Sequence, residues 1–162
     1  MPKKAKSTAA CRFIGEIRTP YNDASCPRFA DEPLPDTARI MVYPEYRAGL
    51  KELEKFQYIY VLFFLDRPRR ECSLIAHPPK AQGREVGVFA SRSPNRPSRI
   101  GLSVVRLFKI KMGVLLTSAI DAYDHTPLID LKPYFRDDDL KPGANNGWLD
   151  HLPSGRAGKK RS

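Results

Sequence analysis

Fifteen prolines are scattered through this chain of 162 residues, and five of them fall between Pro20 and Pro44. Inside a helix each would remove a hydrogen bond and clash with the preceding turn, at about 3 kcal/mol. Long helices are therefore excluded, and extended chain must bury the apolar residues. The residues between the prolines suit that role. Residues 11–18 open on Phe13 and Ile14, and residues 37–43 read as a strand around Ile40, Met41 and Val42. Residues 46–53 make a short helical turn at most, with Leu50 and Leu53 three apart.

Residues 57–65 are a nearly continuous aromatic and β-branched run, which predicts a strand buried on both faces at the centre of the core. Residues 100–111 form a long strand, in which Phe108, Ile110 and Met112 alternate with Lys109 and Lys111 and mark an inward face. Lys111-Met112-Gly113 is a turn leading into residues 114–120 as a hairpin. Residues 127–134 supply one further extended piece. At least six strands, proline-rich turns and few helices predict a closed barrel or a sandwich. Residues 66–99 hold long irregular connections, which in a compact domain are usually functional or mobile.

The chain is 41% hydrophobic and 28% charged, an ordinary globular mix, and its length supports one domain. Its longest apolar run, residues 58–65, is far short of the roughly twenty residues that a membrane-spanning helix needs. No apolar segment follows the basic start Met-Pro-Lys-Lys-Ala-Lys, so no secretory signal is expected, and the expected location is cytoplasmic. Cys11, Cys26 and Cys72 lie too far apart for a zinc pattern, as do His77, His125 and His151. Reduced thiols packed as small apolar residues and no metal site are expected.

A formal charge of +10 suggests a polyanionic partner only where it is localised. The ends, residues 1–8 and 154–162, carry seven bases and no acid, and are expected to be disordered basic tails around a domain at residues 9–153. Residues 9–65 and 107–153 each carry a slight acidic excess, whereas residues 66–106 hold nine bases to three acids. Eight of those nine are arginine, the side chain suited to bidentate contact with phosphate or carboxylate.

No GxGxxG, P-loop, HExxH or GxSxG occurs, which disfavours a doubly wound nucleotide fold and gives Ser91, Ser93 and Ser103 no nucleophile motif. Two segments stand out. Residues 87–103 present Arg92, Arg96 and Arg99 on a loop stiffened by Pro94 and Pro97, a cradle for anions or simply a solvated loop. Residues 120–134 place Asp121, Tyr123, Asp124, His125 and Thr126 at a strand end, where a turn is the plainer reading and ribose or ammonium contacts are the functional one.

These segments carry a resemblance. Gly87-Val88-Phe89-Ala90-Ser91-Arg92-Ser93-Pro94-Asn95-Arg96-Pro97-Ser98-Arg99-Ile100-Gly101-Leu102 resembles the GVFATRSPxRPNPIGL signature of the TrmO (TsaA-like) family, and residues 121–134 resemble its DxxDGTPxLDIKPY. Residues 14–21 are similar to the family's IGxIxSPY opening, residues 26–29 to its PRQ segment, and residues 52–65 to its LExFxxIWVLFxF strand. The likeness runs in order through residues 13–135. It implies a mainly β fold, a small closed β-barrel with few short helices, unlike the Rossmann-type methyltransferases. It also implies a homodimer that uses S-adenosyl-L-methionine to methylate N6 of threonylcarbamoyl-adenosine at position 37, in the tRNA anticodon loop.

Carried over by position, the cofactor contacts fall on Pro27, Arg28, Phe29, Asp66, Arg67, Arg92, Leu102, Tyr123, Asp124, His125 and Thr126. Tyr123, Asp124 and His125 become the catalytic candidates, and Arg96 and Arg99 the nucleic-acid contacts. The chain departs from the family at Ser98-Arg99, where the motif has a proline, at Phe29, at Asp66, and at His125, which replaces a glycine suited to positive φ. Those departures lie in the implied pocket. They leave open another RNA or a small molecule as methyl acceptor, and beyond enzymes a non-catalytic RNA-binding module.

Overall fold

The computed structural model describes residues 10–22, 38–67 and 72–152. Both basic tails, Cys26 and the Pro27-Arg28-Phe29 segment lie outside the described residues. The chain divides into two compact units, one of Met1–Arg67 with Arg99–Tyr134, the other of Pro68–Ser98 with Phe135–Ser162.

The first unit is a closed barrel of six antiparallel strands, as expected. They are β1 (Gly15–Arg18), β2 (Ala38–Val42), β3 (Tyr58–Phe64), β6 (Ile100–Lys111), β7 (Val114–Thr117) and β8 (Thr126–Pro133), closed in the order β1-β2-β7-β6-β3-β8. Closure leaves no unpaired edge, which suits strands as short as four residues. Ile17, Ile40, Ile59, Val61, Leu115 and Leu128 fill the interior at 0% exposure. Burial of each contributes roughly 1.5–3 kcal/mol. The 3-10 turns Pro44–Leu50 and Leu53–Lys55 replace the expected helical turn, and send Leu53 into the core with Leu50 and Phe56 against it.

Two readings of the strands need correction. β3 is not buried on both faces. Ile59, Val61 and Phe63 point inward, while Tyr58 is exposed and Tyr60, Leu62 and Phe64 are half-buried. A barrel wall has one inner side, so an apolar run there leaves half its side chains outside. In β6 Gly101, Ser103, Val105 and Leu107 point inward and Ile110 packs against the core as expected, but Phe108 and Met112 are 41% and 81% exposed. A register shift between Leu107 and Lys109 against β7 places the extra residue, Phe108, outside. Lys109 and Lys111 stay outward, as the alternation requires.

The expected hairpin forms with Met112 at φ 53° and Gly113 at φ 82°, the pair of positive values that a two-residue hairpin turn takes. Its second strand ends at Thr117, where residues 118–125 leave the sheet. Gly101 is required by packing: a Cβ there would lie 2.2 Å from the Phe63 ring across the β3–β6 ladder.

The second unit holds the two-residue strands β4 (Ile75–Ala76) and β5 (Val86–Gly87), the 3-10 turns Pro79–Ala81, Val88–Ala90 and Gly147–His151, and the single-turn helix α1 (Arg136–Asp139). Trp148 donates its indole N–H to the Ala90 carbonyl at 2.8 Å. Cys11 and Cys72 are exposed free thiols, so the expectation of packed cysteines does not hold for these two. No helix among the described residues is long and apolar enough to cross a membrane, and no cluster of metal-ligating side chains occurs among them.

Candidate functional site

The pairing of β1 with β8 builds the site. Ile17 lies opposite Thr126, so the chain leaving β1 runs beside the turn that enters β8. Residues 19–21 and 122–124 then fasten to each other. The Thr19 hydroxyl donates to the Ala122 carbonyl at 3.0 Å, and the Thr19 N–H to Asp124 Oδ1 at 3.2 Å. In return the Asp124 N–H donates to the Tyr21 carbonyl at 2.9 Å. A third strand end joins from β3. Arg67 donates from Nη2 to the Asp124 carbonyl at 2.6 Å, and its guanidinium lies 5.1 Å from the Tyr123 ring centre.

At the turn itself His125 takes φ 63°, the left-handed conformation expected where the family motif has glycine. Its Nδ1 is 3.2 Å from Glu16 Oε2 and its Nε2 is 3.4 Å from Asp124 Oδ2. The Arg18 guanidinium lies against the same ring, 2.8 Å from Nδ1 and in contact with Nε2. Arg18 also reaches Glu16 at 3.1 Å and Asp124 at 3.7 Å. Two carboxylates and two basic side chains thus form one half-exposed network, placed by outward positions on β1 and by the β8 turn.

Other candidates divide between the units. Asp66 follows β3 with its N–H bonded to the Phe64 carbonyl, and its carboxylate lies 3.8 Å from Arg67 Nε. Leu102 faces outward on β6 at 53% exposure. Arg99 has φ 50°, a conformation closed to the proline of the family motif, and its carbonyl accepts from the Leu65 N–H at 2.8 Å. Arg92 and Arg96 belong to the second unit. Arg92 is exposed, while Arg96 braces its own loop through the Ser93, Val88 and Ser91 carbonyls.

Glu16, Arg18, Thr19 and Tyr21 are site residues that sequence reasoning missed. They were visible as part of the opening motif, but strand pairing alone brings that segment to His125. Ser103 and Asp121 form a further hydrogen-bonded pair, with Ser103 9% exposed. The Thr126 side chain is 3% exposed, and its hydroxyl has no hydrogen-bond partner among the described residues. An aromatic face, carboxylates able to take an ammonium or ribose hydroxyls, and a buried hydroxyl all suit the nucleoside-and-amino-acid cofactor that the resemblance implies.

Known proteins resemble this chain in sequence and in fold. The family model described as the tRNA-methyltransferase O N-terminal domain matches residues 16–140. A protein of Archaeoglobus fulgidus named "Probable S-adenosyl-L-methionine-binding protein" is 39% identical over 139 residues, which cover 86% of this chain and 37% of that protein. The human protein named tRNA (adenine(37)-N6)-methyltransferase is 38% identical over 102 residues, 62% of this chain and 23% of its own length. A crystal structure titled TrmO superposes with a TM-score of 0.73 at 31% identity, over 88% of this chain and 64% of that one. This chain therefore spans less than two thirds of the length of each of these three. With the model match covering most of its length, the chain belongs to the tRNA-methyltransferase O N-terminal domain family.

Proposed function

We propose that this chain binds S-adenosyl-L-methionine and transfers its methyl group to N6 of adenosine 37 in tRNA, with threonylcarbamoyl-adenosine as the acceptor nucleoside. The observation that carries the reading is the Tyr123–Thr126 turn, held by Arg67 from β3 and by Thr19 and Tyr21 from the end of β1. Three strand ends converge on the segment that matches the family's DGTP motif, and the relatives' names supply the chemistry.

When bound, the cofactor supplies an electrophilic methyl on a sulfonium, so the acceptor nitrogen needs in-line placement and loss of its proton rather than covalent help. Positioning then supplies most of the acceleration. Tyr123 offers a ring face already held by Arg67. Asp124 and Glu16 supply negative charge for cationic groups, and Thr126 offers a hydroxyl with no partner among the described residues. The Tyr123-Asp124-His125 cluster orients cofactor and nucleophile. Asp66, Arg67, Leu102, Arg92 and the Pro27-Arg28-Phe29 segment complete the proposed cofactor contacts, and Arg96 and Arg99 the proposed contacts to RNA. Residues 9–153 act as the functional domain, in the cytoplasm. We take the working form to be a homodimer, for which the exposed outer-face residues Tyr58, Ile100, Leu102 and Val104 give an apolar area to cover.

Calorimetry with S-adenosyl-L-methionine tests the cofactor, and nucleoside mass spectrometry of tRNA from a deletion strain tests the acceptor. Binding together with loss of the N6-methylated nucleoside is expected. Persistence of that nucleoside in the deletion strain overturns the acceptor, and absence of cofactor binding overturns the enzyme.

A further inference from the structure

The strand register draws together basic residues that the sequence keeps far apart. Arg18 on β1 lies opposite Arg39 on β2, Arg39 opposite Leu116 on β7, and Leu116 opposite Lys109 on β6. The adjacent row on the same outer surface is Glu16, Met41, Val114 and Lys111. Arg39, Lys109 and Lys111 are all exposed, as are Arg47 and Met112 beside them. Arg47 is fixed there: its Nε donates to the Val42 carbonyl at 3.1 Å, and its side chain crosses Gly113 so closely that a Cβ would lie 2.2 Å from Nε. Arg47, Lys109, Lys111, Met112, Val114 and Leu116 line one depression at the hairpin end.

Among the described residues, the charge on this face has no ion-pair partner beyond the Arg18 end. The acid on the two rows, Glu16, is engaged by Arg18 and His125. Among the described residues, no carboxylate forms an ion pair with Arg39, Arg47, Lys109 or Lys111. Four strands at about 4.8 Å spacing make a ladder about 14 Å across, from Arg18 at the His125 cluster to Lys109. A row of like charges with apolar residues between them, leading away from the reaction site, matches a polyanionic strand in charge and in shape.

We propose that the outer face of β2, β7 and β6 is a docking surface for the phosphate backbone of the tRNA whose base enters the His125 site, with Arg39, Arg47, Lys109 and Lys111 as the phosphate contacts. The proposal rests on the tRNA reading above and adds to it where the RNA lies. Backbone contacts of this kind set register and affinity without reading sequence.

The test measures binding of an unmodified tRNA transcript by the full chain across a salt series. It compares wild type with the triple variant Arg39→Gln, Lys109→Gln, Lys111→Gln and with the charge-keeping double variant Lys109→Arg, Lys111→Arg. S-adenosyl-L-methionine affinity is measured on each as a check on folding. The triple variant is expected to lose at least about tenfold in tRNA affinity and to flatten the log–log salt slope by about two, with cofactor affinity kept and the double variant like wild type. A triple variant whose tRNA affinity and salt slope both equal those of wild type overturns the docking surface and leaves the tRNA reading intact. A wild type that binds the cofactor but no tRNA overturns both. Binding of phosphatidylserine vesicles that the triple variant loses, with tRNA binding unchanged, assigns the face to a membrane surface and also overturns the proposal.

Discussion

Arg67 holds the Asp124 carbonyl at 2.6 Å while its guanidinium lies over the Tyr123 ring, so one side chain from the end of β3 sets two consecutive residues of the turn entering β8. Lysine can reproduce the charge but not the planar fork that donates and stacks at once. Arg67→Lys is expected to weaken S-adenosyl-L-methionine binding about tenfold while shifting stability by less than about 1 kcal/mol, the range of exposed polar contacts. Calorimetry and thermal unfolding of the same sample check both parts; a cofactor affinity equal to wild type would break the link between the turn and the site.

His125 occupies φ 63°, a region that glycine enters freely and β-branched residues enter only under strain. His125→Gly should unfold at equal or slightly higher denaturant concentration than wild type, and His125→Val should lose about 1–3 kcal/mol. Urea unfolding separates them. If valine is tolerated as well as glycine, the backbone conformation at 125 is not a constraint.

Gly101 faces Phe63 across the β3–β6 ladder, and Phe63 is 2% exposed, with its ring 2.2 Å from where a Cβ at 101 would lie. Gly101→Ala therefore overpacks the barrel interior, at a cost of about 1–3 kcal/mol. A lowered unfolding midpoint is the expected result, and an unchanged midpoint shows that the ring can move.

Asp150 closes the 3-10 turn Gly147–His151 by accepting from the Asn146 side-chain N–H and backbone N–H, both at 2.9 Å. Those two hydrogen bonds, with a smaller contribution from His151, hold its carboxyl below the ordinary value of 3.8. A lowered folded-state value means the turn is stabilised above the ordinary value and loses that support as pH falls through the lowered one. Trp148, the only tryptophan in the chain, sits in this turn. Its emission is expected to change in a step below pH about 3.8, and Asp150→Asn should remove the step. A step of the same midpoint in the variant assigns it elsewhere.

The sequence by itself determined the class of fold and the family. Scattered prolines forbade long helices, turn residues marked the Met112-Gly113 hairpin, and the motif at residues 121–134 marked the turn where His125 now stands at positive φ. Local chemistry suffices for such features because they act within a few residues. What lay beyond sequence was everything set by register. The outward half of β3 and the register shift that exposes Phe108 depend on which strand lies alongside, and apolar composition is the same for either face. Arg18 meets His125 across more than a hundred residues because β1 pairs with β8. The charge shows the difference most clearly. Along the chain, residues 9–65 and 107–153 each carry a small acidic excess, yet their Arg39, Arg47, Lys109 and Lys111 gather on one side of the barrel. Strand pairing fixes where side chains point in space, and linear composition averages over that direction.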